Sequence, residues 1–264
     1  MEMIQLGDVV LHYRIEGDAD GAPIVFANSL GTDIRLWDQV IPYLPGGLKI
    51  LRFDKRGHGL SSCPEGDYSM ADLIQDTVRL LEALEIRDCL FVGLSIGGII
   101  AQGLAASHPH LLRAMVISNT AARIGTPEMW QQRIGALRAG GIEALADSVM
   151  ERWFARSFRE RRPLELAAWR NMLTRTPLAG YIGCSAAIAA TDFSASSADL
   201  SLPTLALAGS EDGSTPPEVV RATAALIRGS RFELIDNAGH LPCVEQPAEY
   251  ARILNGFISE CGHV

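Results

Sequence analysis

Lysine is almost missing from this chain. Lys49 and Lys55 stand against 21 arginines, so lysine chemistry has almost nowhere to sit. Cysteine is sparse as well: Cys63, Cys89, Cys184, Cys243 and Cys261 are scattered, odd in number and never at C-x-x-C spacing. That argues against a disulfide framework or a zinc site, and a reducing cytoplasm is the expected compartment. Positive charge is in deficit, with a net charge of −8 and a pI near 5.3, which argues against nucleic acid as a partner. The first residues, Met1–Asp8, lack the basic stretch and apolar run of a signal peptide. One run, Cys89–Ala106, carries no charge over 18 residues, the length at which a membrane span comes into question. Four glycines, Ser95 and Gln102 interrupt it, so a buried strand turning sharply into a buried helix is expected instead. No repeat, low-complexity tract or Gly/Ser/Pro linker breaks up the 264 residues.

What the chain does have is core material: 48% of residues are apolar and 20% charged, enough to exclude intrinsic disorder. The length fits two domains, or a single α/β domain of up to about 250 residues. Short apolar strands alternate with helical patterns. Val9–Arg14, Ile24–Ala27, Ile50–Phe53, Leu90–Val92, Ala114–Ser118, Thr204–Ala208 and Arg231–Ile235 read as strands. Met70–Leu84, Pro217–Ile227 and Ala248–Phe257 read as helices. That alternation predicts a mostly parallel sheet covered on both faces. It stops between residues 120 and 196, a helical stretch with three of the four tryptophans and ten arginines against seven acids. The expected division is therefore a body of residues 1–119 and 197–264, with an inserted helical segment at 120–196. A basic, aromatic insertion on an acidic body suggests a lid over a site; the plainer reading is a helical excursion with a solvated face.

Gly93-Leu94-Ser95-Ile96-Gly97 is a G-x-S-x-G pattern standing between a strand and a helix. In that setting the glycines permit a tight turn that exposes Ser95. The Ile96 amide, at the helix N-terminus, would face an oxyanion formed there. A serine hydroxyl needs a base, and the base an orienting carboxylate. His240 follows a strand in the loop Asp236–His240, where loops at the carboxyl ends of parallel strands converge. His58, in the glycine-rich turn Arg56–Gly59, is its competitor. For the carboxylate, the loop Gly209–Pro217 offers Asp212, with Glu211 as fallback; Asp236 reads as a turn former. The second oxyanion donor is expected from the loop Asn28–Thr32, at the Leu30 amide, with Asn28 and Thr32 as ordinary turn residues.

The chain order Ser95, Asp212, His240 is a serine–acid–histidine order. Together with Asn28–Thr32, Asp54–Ser61 and Ala238-Gly239-His240, it resembles the α/β-hydrolase family over nearly the whole chain, with residues 120–196 in the place of that family's helical cap. More narrowly, Ala27–Thr32 and Asn119–Gly125 are similar to 3-oxoadipate enol-lactonases of aromatic-ring catabolism. The resemblance implies an α/β-hydrolase fold and hydrolysis of a small anionic enol-lactone, without metal or organic cofactor. A free carboxylate on the substrate would need a local cation, and Arg133, close after Trp130, is the first choice; Arg123 and Arg138 are next. Trp130 and Trp153 are the candidate apolar walls, against a role in cap packing alone. The alternatives are a carboxylesterase, a carbon–carbon bond hydrolase of ring-cleavage products, or a small-molecule receptor on the same fold. A small anionic lactone or ester is the expected partner, with no nucleic acid or membrane, and a homo-oligomer is left open.

Overall fold

The computed structural model describes all residues from Met1 to Val264. Eight strands form one sheet: β1 (Glu2–Leu6), β2 (Val9–Gly17), β3 (Ala22–Ala27), β4 (Leu48–Phe53), β5 (Cys89–Leu94), β6 (Leu112–Ser118), β7 (Thr204–Gly209) and β8 (Arg231–Ile235). Their spatial order is β1-β2-β4-β3-β5-β6-β7-β8. The first two strands pair antiparallel, as does β2 with β4; every other neighbour is parallel. Strands β5 and β7 are buried along their whole length, as a sheet covered on both faces requires. Strand β1 is the one strand absent from the sequence reading. Its residues are mostly exposed, so no apolar alternation announces it.

Helix α1 (Met70–Ala83) starts from a reciprocal cap, in which the Ser69 hydroxyl accepts from the Asp72 amide and the Asp72 carboxylate from the Ser69 amide. Helix α2 (Ile96–Ser107) is buried from Ile96 to Ala105. It and β5 account for the charge-free run, and no helix is long and apolar enough to cross a membrane. Between β6 and β7 lie six helices: α3 (Pro127–Gly140), α4 (Glu143–Trp153), α5 (Arg156–Arg161), α6 (Pro163–Thr174), α7 (Leu178–Ala189) and α8 (Ser194–Ala198). The expected boundary at residue 196 falls inside α8, whose Ser197 hydroxyl donates to Gln102 Oε1 of α2 at 2.9 Å, so α8 packs with the body. Helices α9 (Pro217–Leu226), α10 (Pro242–Glu245) and α11 (Pro247–Glu260) complete the chain. One contiguous apolar cluster contains Trp130, Trp153 and Leu173 together with the sheet residues, so body and inserted helices share a core.

The strand order reverses at β3, whose neighbours are β4 on one side and β5 on the other. Loops leaving the carboxyl ends of β3 and β5 therefore diverge and open a crevice, the usual place for a site in such a sheet. They are Asn28–Thr32 and the turn at Ser95.

Candidate active site

Ser95 sits between β5 and α2 with φ 57° and ψ −116°, a conformation that L-residues rarely adopt. The surroundings hold it there. Its amide donates to Ser118 O at 2.9 Å, and its carbonyl accepts from the Gly98 amide at 2.8 Å and the Thr120 hydroxyl at 2.7 Å. The flanking glycines are required by space: a Cβ on Gly93 would lie 2.1 Å from Gly97 O, and one on Gly97 2.3 Å from Ala27 O. The second contact presses the turn against the end of β3, so the Leu30 loop and Ser95 become neighbours. The Ile96 N–H opens α2 and has no acceptor within the helix.

His240 Nδ1 lies 2.9 Å from Asp212 Oδ2. The carboxylate also accepts from Asn119 Nδ2 at 2.9 Å, the Thr215 hydroxyl at 2.8 Å, and the Ser214 and Thr215 amides at 2.7 and 3.0 Å. Burial alone would push this carboxyl up, but the adjacent imidazole and these donors outweigh burial and hold it below the usual carboxylate range. An ionised Asp212 accepts only, so the His240 proton resides on Nδ1 and Nε2 is left for the cavity. Ser95 and His240 line the same cavity, without a hydrogen bond between them. Such contacts commonly tighten only when substrate is bound. Glu211 is exposed and accepts from the Arg156 amide, and Asp236 is exposed; neither contacts His240. Asn119 went unrecognised as a carboxylate support, since nothing in a lone Asn signals a partner 93 residues away. Thr215, three residues after Asp212, reads in sequence only as part of the same loop.

His58 is buried elsewhere. The Gly31 amide donates to its Nε2 at 2.9 Å, so the ring proton sits on Nδ1, 3.3 Å from Arg56 O. Burial, then the Lys55 charge, pushes its pKa well below the ordinary value, and it stays neutral. Lys55 donates to Ser29 O at 2.7 Å, and burial brings its pKa down to about 8. Both residues therefore brace the Asn28–Thr32 loop from below. Thr32 donates to Ser29 O, the turn role expected of it. Asn28 donates to Phe53 O at the end of β4 and accepts from Trp37 Nε1, so it ties the loop to neighbouring segments instead of forming the turn. The Leu30 amide donates to no group of the protein.

The cavity has a volume of about 320 Å³. Ser29, Leu30, Ser95 and His240 form its floor; Trp130, Trp153, Ile124, Met129, Leu145 and Tyr181 contribute walls; Arg133 and Arg152 supply charge. Arg133 is half-buried, donates to the Tyr181 hydroxyl at 2.5 Å, and lies 5.2 Å over the Trp130 ring. It has no carboxylate partner, and its Nε is buried without a hydrogen bond. The two reserve arginines lie elsewhere: Arg123 pairs with Asp192 and Arg138 with Asp67, both well exposed and outside this cavity. Arg152, which sequence reasoning passed over, takes their place.

A family model described as alpha/beta hydrolase fold matches residues 22–247. The chain belongs to the α/β-hydrolase family. Among curated relatives are two 3-oxoadipate enol-lactonases of Acinetobacter baylyi. One is 34% identical, covering 92% of this chain and 91% of its own, and the other 33%, covering 94% and 92%. The solved enol-lactonase of Burkholderia xenovorans superposes with a TM-score of 0.94 at 35% identity, covering 98% of this chain and 100% of that one. An N-acyl homoserine lactone degrading enzyme superposes at 0.87 with 27% identity, covering 97% and 100%. Membership and relatives together support hydrolase activity for this α/β-hydrolase.

Proposed function

We propose that this chain is a serine hydrolase of a small anionic enol-lactone, with 3-oxoadipate enol-lactone as the leading substrate. The observation that carries the reading is a cavity with Ser95 and His240 on its floor and, on its wall, a half-buried Arg133 free of any carboxylate. The relatives named 3-oxoadipate enol-lactonase support the choice of ester. In this reading Ser95 Oγ attacks the lactone carbonyl while its proton passes to His240 Nε2. Asp212 keeps the imidazole oriented and stabilises the imidazolium. The Leu30 and Ile96 amides receive the oxyanion. Collapse breaks the ring C–O bond; the leaving enolate takes the proton from His240 and tautomerises to a ketone, leaving an acyl-serine. Water, deprotonated by His240, then attacks the acyl carbonyl, and the Ser95 oxygen leaves with the proton returned.

The helices between β6 and β7 act as a cap in this scheme. Trp130 and Trp153 shape its apolar vestibule, and Arg133 holds the substrate carboxylate. A place in aromatic-ring catabolism and a cytoplasmic setting follow from the same reading. The test is a steady-state assay of the purified protein with 3-oxoadipate enol-lactone beside neutral lactones and short aryl esters. Arg133→Ala is expected to lower kcat/KM for the acidic lactone by roughly 10–150-fold and to leave a neutral lactone of similar size nearly unchanged. Turnover confined to aryl esters or neutral lactones would replace the reading with a carboxylesterase. An equal loss on both lactones would make Arg133 a cap-packing residue.

A further inference from the structure

Arg133 supplies one positive charge to a cavity that holds two. Arg152, near the end of α4, is half-buried and lines the same space, and no carboxylate lies within ion-pair distance of it. None of the residues lining the cavity is acidic. Burial first, and then the charge of Arg133, lowers the Arg152 pKa. Two guanidinium groups thus share one cavity with no carboxylate at ion-pair distance from either, an arrangement that an entering anion would relieve. Of the other arginines between residues 120 and 196, Arg123, Arg138, Arg156, Arg162 and Arg170 have carboxylate partners, whereas Arg159, Arg161 and Arg175 have none and lie outside this cavity. Arg133 and Arg152 are thus the two unpaired arginines of the segment that line the cavity.

The two charges stand at different places. Arg133 is held by Tyr181 of α7 and Trp130 of α3. Arg152 is seated on the loop that carries Asp212: its carbonyl accepts from the Gly213 amide at 3.2 Å, and a Cβ on Gly213 would lie 3.1 Å from its Cα. Its backbone therefore packs on the loop of the orienting carboxylate, while its side chain lines the cavity that holds Ser95 and His240.

We infer that Arg152 is a second anion subsite, and that the cavity is built for an aliphatic dicarboxylate with one carboxylate on each arginine. The inference rests on the lactonase reading in one respect. Opening a carboxylate-bearing lactone turns a monoanion into a dianion, and the new carboxylate forms at Ser95. Arg133 then holds the group that substrate and product share, and Arg152 the group that hydrolysis creates. A saturated six-carbon dicarboxylate, with no bond to cleave, should occupy both.

The experiment is isothermal titration of the intact protein with adipate and, separately, hexanoate, alongside inhibition of lactone turnover by each. Adipate is expected to bind at least tenfold more tightly than hexanoate and to inhibit competitively. Arg152→Gln should weaken adipate by about 10–150-fold while leaving hexanoate within about twofold. Arg152→Lys should restore part of the loss, which a packing role would not produce, and Arg133→Gln should weaken both ligands. Equal binding of adipate and hexanoate to the unmodified protein would overturn the inference, as would an equal effect of Arg152→Gln on both. Because the titration needs no turnover, the two readings fail separately. Turnover of the lactone without an adipate preference removes the subsite alone; adipate binding that depends on both arginines, without lactone turnover, removes the lactonase alone.

Discussion

Ser95 holds its unusual backbone conformation through main-chain contacts and the glycines around it, so its side chain is free of structural duty. Ser95→Ala is therefore expected to reduce kcat by several orders of magnitude while shifting unfolding free energy by less than about 0.5 kcal/mol. Steady-state kinetics on mass-verified protein, paired with a urea titration, checks both halves. Near-normal turnover would end the nucleophile assignment. Asp212 differs, because five donors converge on it. Asp212→Asn presents an NH2 group where Nδ1–H, Asn119 and Thr215 now donate, and removes the charge that would stabilise an imidazolium. A kcat loss of roughly 10⁴ is expected. If Glu211→Gln or Asp236→Asn proved the more damaging change, the orienting acid would be elsewhere.

Elements set where these residues meet, and here the sequence is unevenly informative. The β5–turn–α2 unit is legible because its constraints are local: Gly93 and Gly97 need small size for contacts formed within the turn and against β3. The loops bearing Asp212 and His240 are legible as well, because each directly follows an apolar strand. What holds the Leu30 loop is not. His58 reads as a rival base from its glycine-rich turn, and only the fold reveals that Gly31 donates to it. Arg152 is hidden for a similar reason. Whether a helical arginine is paired depends on distant carboxylates, as Arg138 and Asp67 illustrate across 71 positions. The bracing role of His58 has its own signature. His58→Ala leaves the buried Gly31 N–H without an acceptor, at a cost of about 1–3 kcal/mol, and loosens the Leu30 amide. A kcat reduction of 10–100-fold with measurable destabilisation is expected, against a loss of several orders for His240→Ala with little change in stability. Equal kinetic losses in the two variants would return His58 to the chemistry.

At the scale of the molecule, the inserted helices are fastened to the body at the end where His240 lies. His240 N–H donates to Trp153 O at 2.8 Å. Buried Glu245 of α10 bridges the two parts, accepting from the Gly239 amide at 2.6 Å and the Ala155 amide at 2.9 Å. Burial raises its pKa to about 7 despite those two donors; Glu211 adds to the rise and Arg162 opposes it. The sign follows from linkage. Between the ordinary value of 4.5 and about 7 the folded chain retains a proton that the unfolded chain has released. Glu245 therefore contributes stability that is fully present below about 4.5 and is lost as pH rises through about 7. Glu245→Gln cannot titrate, although its NH2 group opposes one of the amides and lowers stability at every pH. Urea titrations at pH 5 and pH 8 separate the two effects. The advantage of the native chain over the variant should be larger at pH 5 than at pH 8, by about 2 kcal/mol. A constant difference would mean that Glu245 is ionised across the whole range, with its two amide donors outweighing burial.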